Sequence, residues 1–100
     1  MTLRHVVMWR MAAEDPRQRA GHAAEGARLL AALEGVIPEI QSLSAGPNAA
    51  YPEENWDLVL VADFADQAAL ERYQVHPAHQ EVVAYIRSVV GARAAVDIAL

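Results

Sequence analysis

Cysteine and lysine are both missing from this 100-residue chain. Without cysteine there is no disulfide and no thiolate chemistry, and the redox compartment leaves no mark. The eight basic side chains are all arginine and face thirteen acids, for a formal net charge of -5. Acids and bases are scattered, so the basic footprint that phosphate backbones need is absent and nucleic acid is not an expected partner. Long apolar runs are lacking too. None approaches membrane-spanning length, and "MTLRHVVMWRM" is too short and too polar at both ends for a signal peptide. The expectation is a soluble, cytoplasmic protein with no membrane partner.

What is abundant is apolar side chain. The hydrophobic fraction is 54% against a charged fraction of 21%, high for a length that supports one domain and one core. Such an excess points to apolar surface hidden against a partner subunit or around an internal cavity.

Residues 3–11 read as a strand ending at the polar "AAEDP". Alternation puts Leu3, His5, Val7, Trp9 and Met11 on one face and Arg4, Val6, Met8 and Arg10 on the other, so both faces carry apolar residues and both need cover. Asp15 is placed as the N-cap of a helix with Pro16 in its first position, Leu29, Leu30 and Leu33 forming an apolar stripe and Gly35 and Pro38 stopping it. Gly21 and Gly26 weaken that assignment, at roughly 1 kcal/mol each in an exposed helix interior. Residues 39–45 alternate as a half-buried strand, and "GPNAAYPEEN" is a loop.

Residues 56–64, "WDLVLVADF", are the clearest strand, with Trp56, Leu58, Leu60, Ala62 and Phe64 on one face. Asp66 caps a short helix over "QAALERYQ", which Pro77 interrupts because the residue before a proline is driven out of helical conformation. A further helix runs from Pro77 to Gly91, and "ARAAVDIAL" closes the chain as a strand. Strand, helix, strand, strand, broken helix, strand is the βαββαβ order of an α+β, ferredoxin-like fold, with an antiparallel sheet and helices on one face. The other face is bare. A second copy of the same sheet would cover it, giving a homodimer with a barrel-like interior.

The chemistry concentrates in "RYQVHPAHQ", residues 72–80. Proline at the first helical position makes His76 an N-cap and puts His79 at about the third position. The positive end of the helix dipole disfavours imidazolium, so His79 is expected to titrate below its ordinary value and stay a neutral base near pH 7. Tyr73 closes the preceding helix, where its hydroxyl can meet the His79 ring. A packing joint between helices accounts for the same residues without any reaction. His76 and His79 also have metal-like spacing, but no third ligand accompanies them and Pro77 splays the pair. His5 shares the apolar face of the first strand, as core or cavity wall; Trp9 and Trp56 are packing residues first. His22, Arg17, Arg19 and Glu25 look like a solvated helix face.

"LRHVVMWRM", "LEGVIPEIQSLSAGPN", "WDLVLVADFADQAALERYQVHPAHQEV" and the closing "VDI" together resemble the Dabb family of stress-responsive dimeric α/β-barrel proteins over nearly the whole chain. Tyr-x-x-His-Pro-Ala-His is the most specific part. The resemblance implies a dimeric barrel of ferredoxin-like protomers. The best-understood enzyme type of that family is the plant polyketide cyclase that forms olivetolic acid by intramolecular aldol condensation without a cofactor. Its catalytic pair corresponds to Tyr73 and His79, a pocket histidine to His5, and pocket-lining strand positions to Val7, Trp9, Leu60 and Ala62. Leu58 stands where the cyclase has another pocket histidine, and Ala27 and Leu30 stand where it has aromatics, which implies a differently shaped, less polar pocket.

Two function classes follow. One is a small-molecule protein, in its sharp form a cyclase acting on a polyketide-like or small aromatic ligand, with Tyr73 and His79 catalytic and His5, Val7, Trp9, Leu30, Leu58, Leu60, Ala62 and His76 around the substrate. It calls for no metal and no cofactor. The other is a non-enzymatic stress-type assembly protein in which the histidines only pin helices. A cofactor-independent monooxygenase is a weaker third reading. An RNA-binding domain of similar topology is excluded by the acidic charge and by a third strand without the basic-glycine-aromatic signature.

Overall fold

The computed structural model describes residues 1–100. Four strands and three helices follow in the order β1 (Leu3–Met11), α1 (Pro16–Ala31), β2 (Ser42–Pro47), β3 (Leu58–Phe64), α2 (Gln67–Val75), α3 (Pro77–Val89) and β4 (Val90–Ala99). The sheet is antiparallel throughout, ordered β2-β3-β1-β4. This is the ferredoxin-like α+β fold expected from the element order.

Alternation in β1 and β3 decides which side is core. His5, Val7, Trp9 and Met11 are buried together with Leu58, Leu60, Ala62 and Phe64, and the register pairs His5 with Ala62 and Val7 with Leu60. The helices cover this face, α1 packing on β2 and β3 and α3 packing against α1. Ala23, Gly26, Ala27 and Leu30 are the buried stripe of α1, at the i, i+3, i+4, i+7 spacing of one helix face. Each fully buried large apolar side chain contributes roughly 1.5–3 kcal/mol. Gly26 is part of this packing: a Cβ there would lie 2.9 Å from a Leu58 methyl, so the glycine permits the close approach of helix to sheet.

Caps set the helix starts. The Asp15 carboxylate accepts from the Arg17 amide at 2.8 Å, and the Asp66 carboxylate accepts from the Ala69 amide at 2.8 Å. Asp57 ties the loop before β3 to β1, its carboxylate accepting from the Met11 amide at 2.8 Å.

Boundaries differ from the sequence reading in five places. Residues 39–41 turn before joining the sheet, with the Ile40 amide donating to the Ile37 carbonyl, so β2 begins at Ser42. It extends through Gly46 and Pro47, because β2 is an edge strand and tolerates a missing donor. Trp56 lies before β3 and stacks under the Arg10 guanidinium, 5.2 Å from its ring centroid. Strand β4 starts at Val90, and its register with β1 shifts between Arg10 and Met11. Helix α1 ends at Ala31, and Gly35 then takes a φ of 85° in the turns that follow.

The opposite sheet face carries no helix. Met8, Val59, Val96 and Ile98 are exposed there, with Val6 and Val61 half-buried between them. On the same face Asp63 accepts a forked pair of bonds from Arg4 at 2.9 and 3.0 Å and a third from Ser42. The Arg4 bonds hold the Asp63 carboxyl below the usual carboxylate range. No helix is long and apolar enough to cross a membrane.

Candidate functional site

A cavity of about 390 Å³ opens between the sheet and the helix pair α2–α3. Its floor is His5, Val7 and Trp9 of β1 with Leu60 of β3; Leu30 of α1, Tyr73 of α2 and His79 of α3 complete that set of expected site residues. Three other residues placed around the substrate from sequence lie off its walls. Leu58 and Ala62 are fully packed core residues, 2% and 0% exposed. His76 instead holds the helix start, where its Nδ1 accepts from the Ala78 amide at 3.1 Å and caps α3.

The break between α2 and α3 brings Tyr73 and His79 together. His76 is held extended at φ -63°, ψ 135° by the proline after it, so α3 restarts with His79 folded back beside Tyr73. The two ring centroids are 4.3 Å apart and the planes inclined by 50°. Phe64 lies 4.9 Å beyond Tyr73, and His5 meets Phe64 edge-on at 6.4 Å. The rings pack tilted against each other and are not hydrogen-bonded, contrary to the expected phenol–imidazole bond. The Tyr73 hydroxyl is buried and has no hydrogen-bond partner.

His79 has a defined proton arrangement. Its Nδ1 lies 3.0 Å from the Gln74 carbonyl oxygen, which can only accept, so Nδ1 carries the proton and Nε2 is the basic nitrogen. The Gln80 side chain donates to the same carbonyl at 2.6 Å. Burial disfavours imidazolium and holds His79 below its ordinary value; the Gln74 bond opposes this, and the charges of His5, Arg93 and His76 add to the lowering. The direction is the one expected from the sequence, but burial leads rather than the helix dipole. Burial also pushes the Tyr73 phenol up to about 12, so near neutral pH it is a donor and not a phenolate.

Sequence reasoning missed Asp97. It pairs with His5 across β1 and β4, and its carboxylate receives His5 Nδ1–H. Only the strand register puts it opposite His5. The same register sets Arg93 opposite Trp9, where it joins the cavity wall with Gln74, Gln80 and Arg87. His22, expected on a solvated face, is half-buried with Nδ1 unpartnered, and Arg19 reaches Asp57 at 3.8 Å. No three His, Cys, Asp or Glu side chains converge in a metal-binding arrangement.

The stress responsive A/B barrel domain model, Dabb, matches residues 3–100. The chain belongs to this family. Among solved structures of the same fold, a dimeric ferredoxin-like protein of unknown function from Bacteroides fragilis is 22% identical, with a TM-score of 0.87 over 99% of this Dabb chain and 96% of the other. A dimeric ferredoxin-like protein of unknown function from Thermobifida fusca is 27% identical, with a TM-score of 0.79 over 100% and 92%. A hydroxynitrile lyase from Passiflora edulis is 13% identical, with a TM-score of 0.75 over 97% and 91%. No curated protein matches the chain.

Proposed function

We propose that this Dabb protein is a cytoplasmic homodimer that holds a small carbonyl compound in the cavity and acts on it by cofactor-independent, cyclase-like proton transfer. The observation that carries the reading is the buried Tyr73 hydroxyl, unpartnered beside the His79 ring. A buried hydroxyl without a partner costs about 1–3 kcal/mol, and a ligand carbonyl would relieve that cost.

In this reading His79 Nε2 removes a proton from a carbon between two carbonyls, and the Tyr73 hydroxyl donates to the oxygen that gains charge. The enolate carbon then attacks a second carbonyl of the same molecule. One carbon–carbon bond forms, and the new alkoxide takes a proton back from the His79 imidazolium. Loss of water completes the condensation. His5, fixed by Asp97, is a further polar group on the floor. The hydroxynitrile lyase among the similar structures supports an enzymatic use of this fold. The dimeric relatives and the bare apolar face support self-association through the sheets.

The test is turnover of a linear β,δ,ζ-triketo thioester, whose C2 can close a six-membered ring on C7, to the dehydrated cyclic product, followed by mass spectrometry. Activity lost in both His79→Ala and Tyr73→Phe, with folding retained, supports the reading. Cyclisation no faster than in buffer across a series of chain lengths leaves the second reading, an assembly protein, which the exposed Met8, Val59, Val96 and Ile98 favour.

A further inference from the structure

The cavity's charge is one-sided. None of the chain's thirteen acidic residues lines it, although the formal net charge is -5. Its ionisable wall groups are His5, Tyr73, His79, Arg87 and Arg93. Four of the eight arginines are occupied by carboxylates, in the pairs Arg4–Asp63, Arg19–Asp57, Arg28–Glu25 and Arg72–Glu39, and Arg10 lies over Trp56. Arg87 and Arg93 have neither a carboxylate nor any other side-chain hydrogen bond within the chain, and both are exposed residues of the cavity wall. They therefore stand where the cavity meets solvent. Arg87 also sits in the last turn of α3, where a cation favours the helix dipole. Arg93, on β4, has no such stabilising role.

We propose that the cavity selects ligands bearing a carboxylate beside an apolar or aromatic body, with the Arg87 and Arg93 guanidiniums receiving the carboxylate at the mouth. This rests on the cavity being a ligand site, as proposed above. Guanidinium presents a planar fork of donors that matches a carboxylate, while Val7, Trp9, Leu30 and Leu60 supply the apolar body's contacts. The inward groups, Tyr73 and His79, are left free for a carbonyl further along the ligand. An anion held here would also relieve the positive surroundings that help keep His79 unprotonated.

The test compares 4-pentylbenzoate with 4-pentylbenzamide, a neutral molecule of nearly the same shape, by calorimetry at pH 7.5 and low salt. The acid is expected to bind at least about tenfold more tightly. Arg93→Gln and Arg87→Gln should each weaken the acid several-fold, the double variant should bring it to the amide's affinity, and the amide should be unaffected. The acid, and not the amide, should raise the pH at which His79 titrates. Equal binding of acid and amide, or a preference that survives in the double variant, overturns the carboxylate proposal and leaves the ligand cavity standing. Binding of neither compound overturns both.

Discussion

Tyr73 and His79 lie with ring centroids 4.3 Å apart, yet the phenol hydroxyl bonds to nothing and the imidazole proton points to the Gln74 carbonyl. A joint built only for stability would pair these groups with each other. Here one donor and one acceptor are left over on residues that line the cavity, and that surplus is what the functional reading uses.

The surplus makes Tyr73→Phe diagnostic. Removing a hydroxyl that has no partner should leave stability unchanged or raise it, by up to about 1–3 kcal/mol, while weakening any ligand that offers a carbonyl. A denaturant melt and a binding titration check both halves. A loss of about 1–3 kcal/mol would instead mean that the hydroxyl is hydrogen-bonded in the folded protein.

Stability should respond to pH at two ends. His79 is shifted down, so its folded value lies below an unfolded value of about 6.5. The unfolded chain then takes up protons first, and stability falls as pH drops from about 6.5 through the folded value. Tyr73 is shifted up from 10.0 to about 12, so its contribution is complete below pH 10 and is lost as pH climbs toward 12. That alkaline loss is roughly 2–3 kcal/mol. Melts at fixed pH should show both slopes, with the alkaline one reduced in Tyr73→Phe and the acid one in His79→Ala.

Asp97→Ala should cost about 1 kcal/mol, the size of one intramolecular hydrogen bond, and loosen the His5 tautomer. Nitrogen chemical shifts of His5 should move from the Nδ1–H form of the parent toward a mixture. An unchanged His5 spectrum would show that the carboxylate does not orient the ring.

The two helix glycines should diverge. At Gly21 a Cβ meets nothing within 4 Å, so Gly21→Ala should gain roughly 0.5–1 kcal/mol from propensity alone. At Gly26 it would press on Leu58, which is only 2% exposed; Gly26→Ala should lose about 1 kcal/mol as that contact is forced apart. Chemical denaturation of both variants reads the difference.

Self-association through the bare face predicts that Val59→Asp or Met8→Asp yields a folded monomer. An unpaired charge buried at an interface costs roughly 3–5 kcal/mol, enough to dissociate a dimer at micromolar concentration. Sedimentation of the parent and both variants gives the answer directly; a parent that is monomeric at high concentration contradicts the dimer.

Much of this fold is legible in the sequence because β1 and β3 alternate with period two and because Asp15, Asp66 and the His76–Pro77 step have unambiguous capping and breaking chemistry. The same alternation put His5, Val7, Trp9 and Leu60 on one face, where they form the cavity floor. What alternation cannot supply is register between distant strands. Asp97 meets His5, and Arg93 meets Trp9, from opposite ends of the chain, and nothing local encodes that pairing. Leu58 and Ala62 share the right face but are fully packed in the core and do not reach the cavity. The edges of β2 moved because sheet geometry overrode the turn preference of Gly46 and Pro47.

The most direct test of the central claim is a histidine-resolved NMR titration of the intact protein, with and without 4-pentylbenzoate and a linear β-diketone. His79 should hold its proton on Nδ1 at pH 7 and titrate below about 6.5. Its signals and those of His5 should move with ligand, while those of His22, outside the cavity wall, stay in place. A His79 protonated on Nε2, or cavity histidines that respond to neither compound, would contradict the assignment of this cavity as a reactive site.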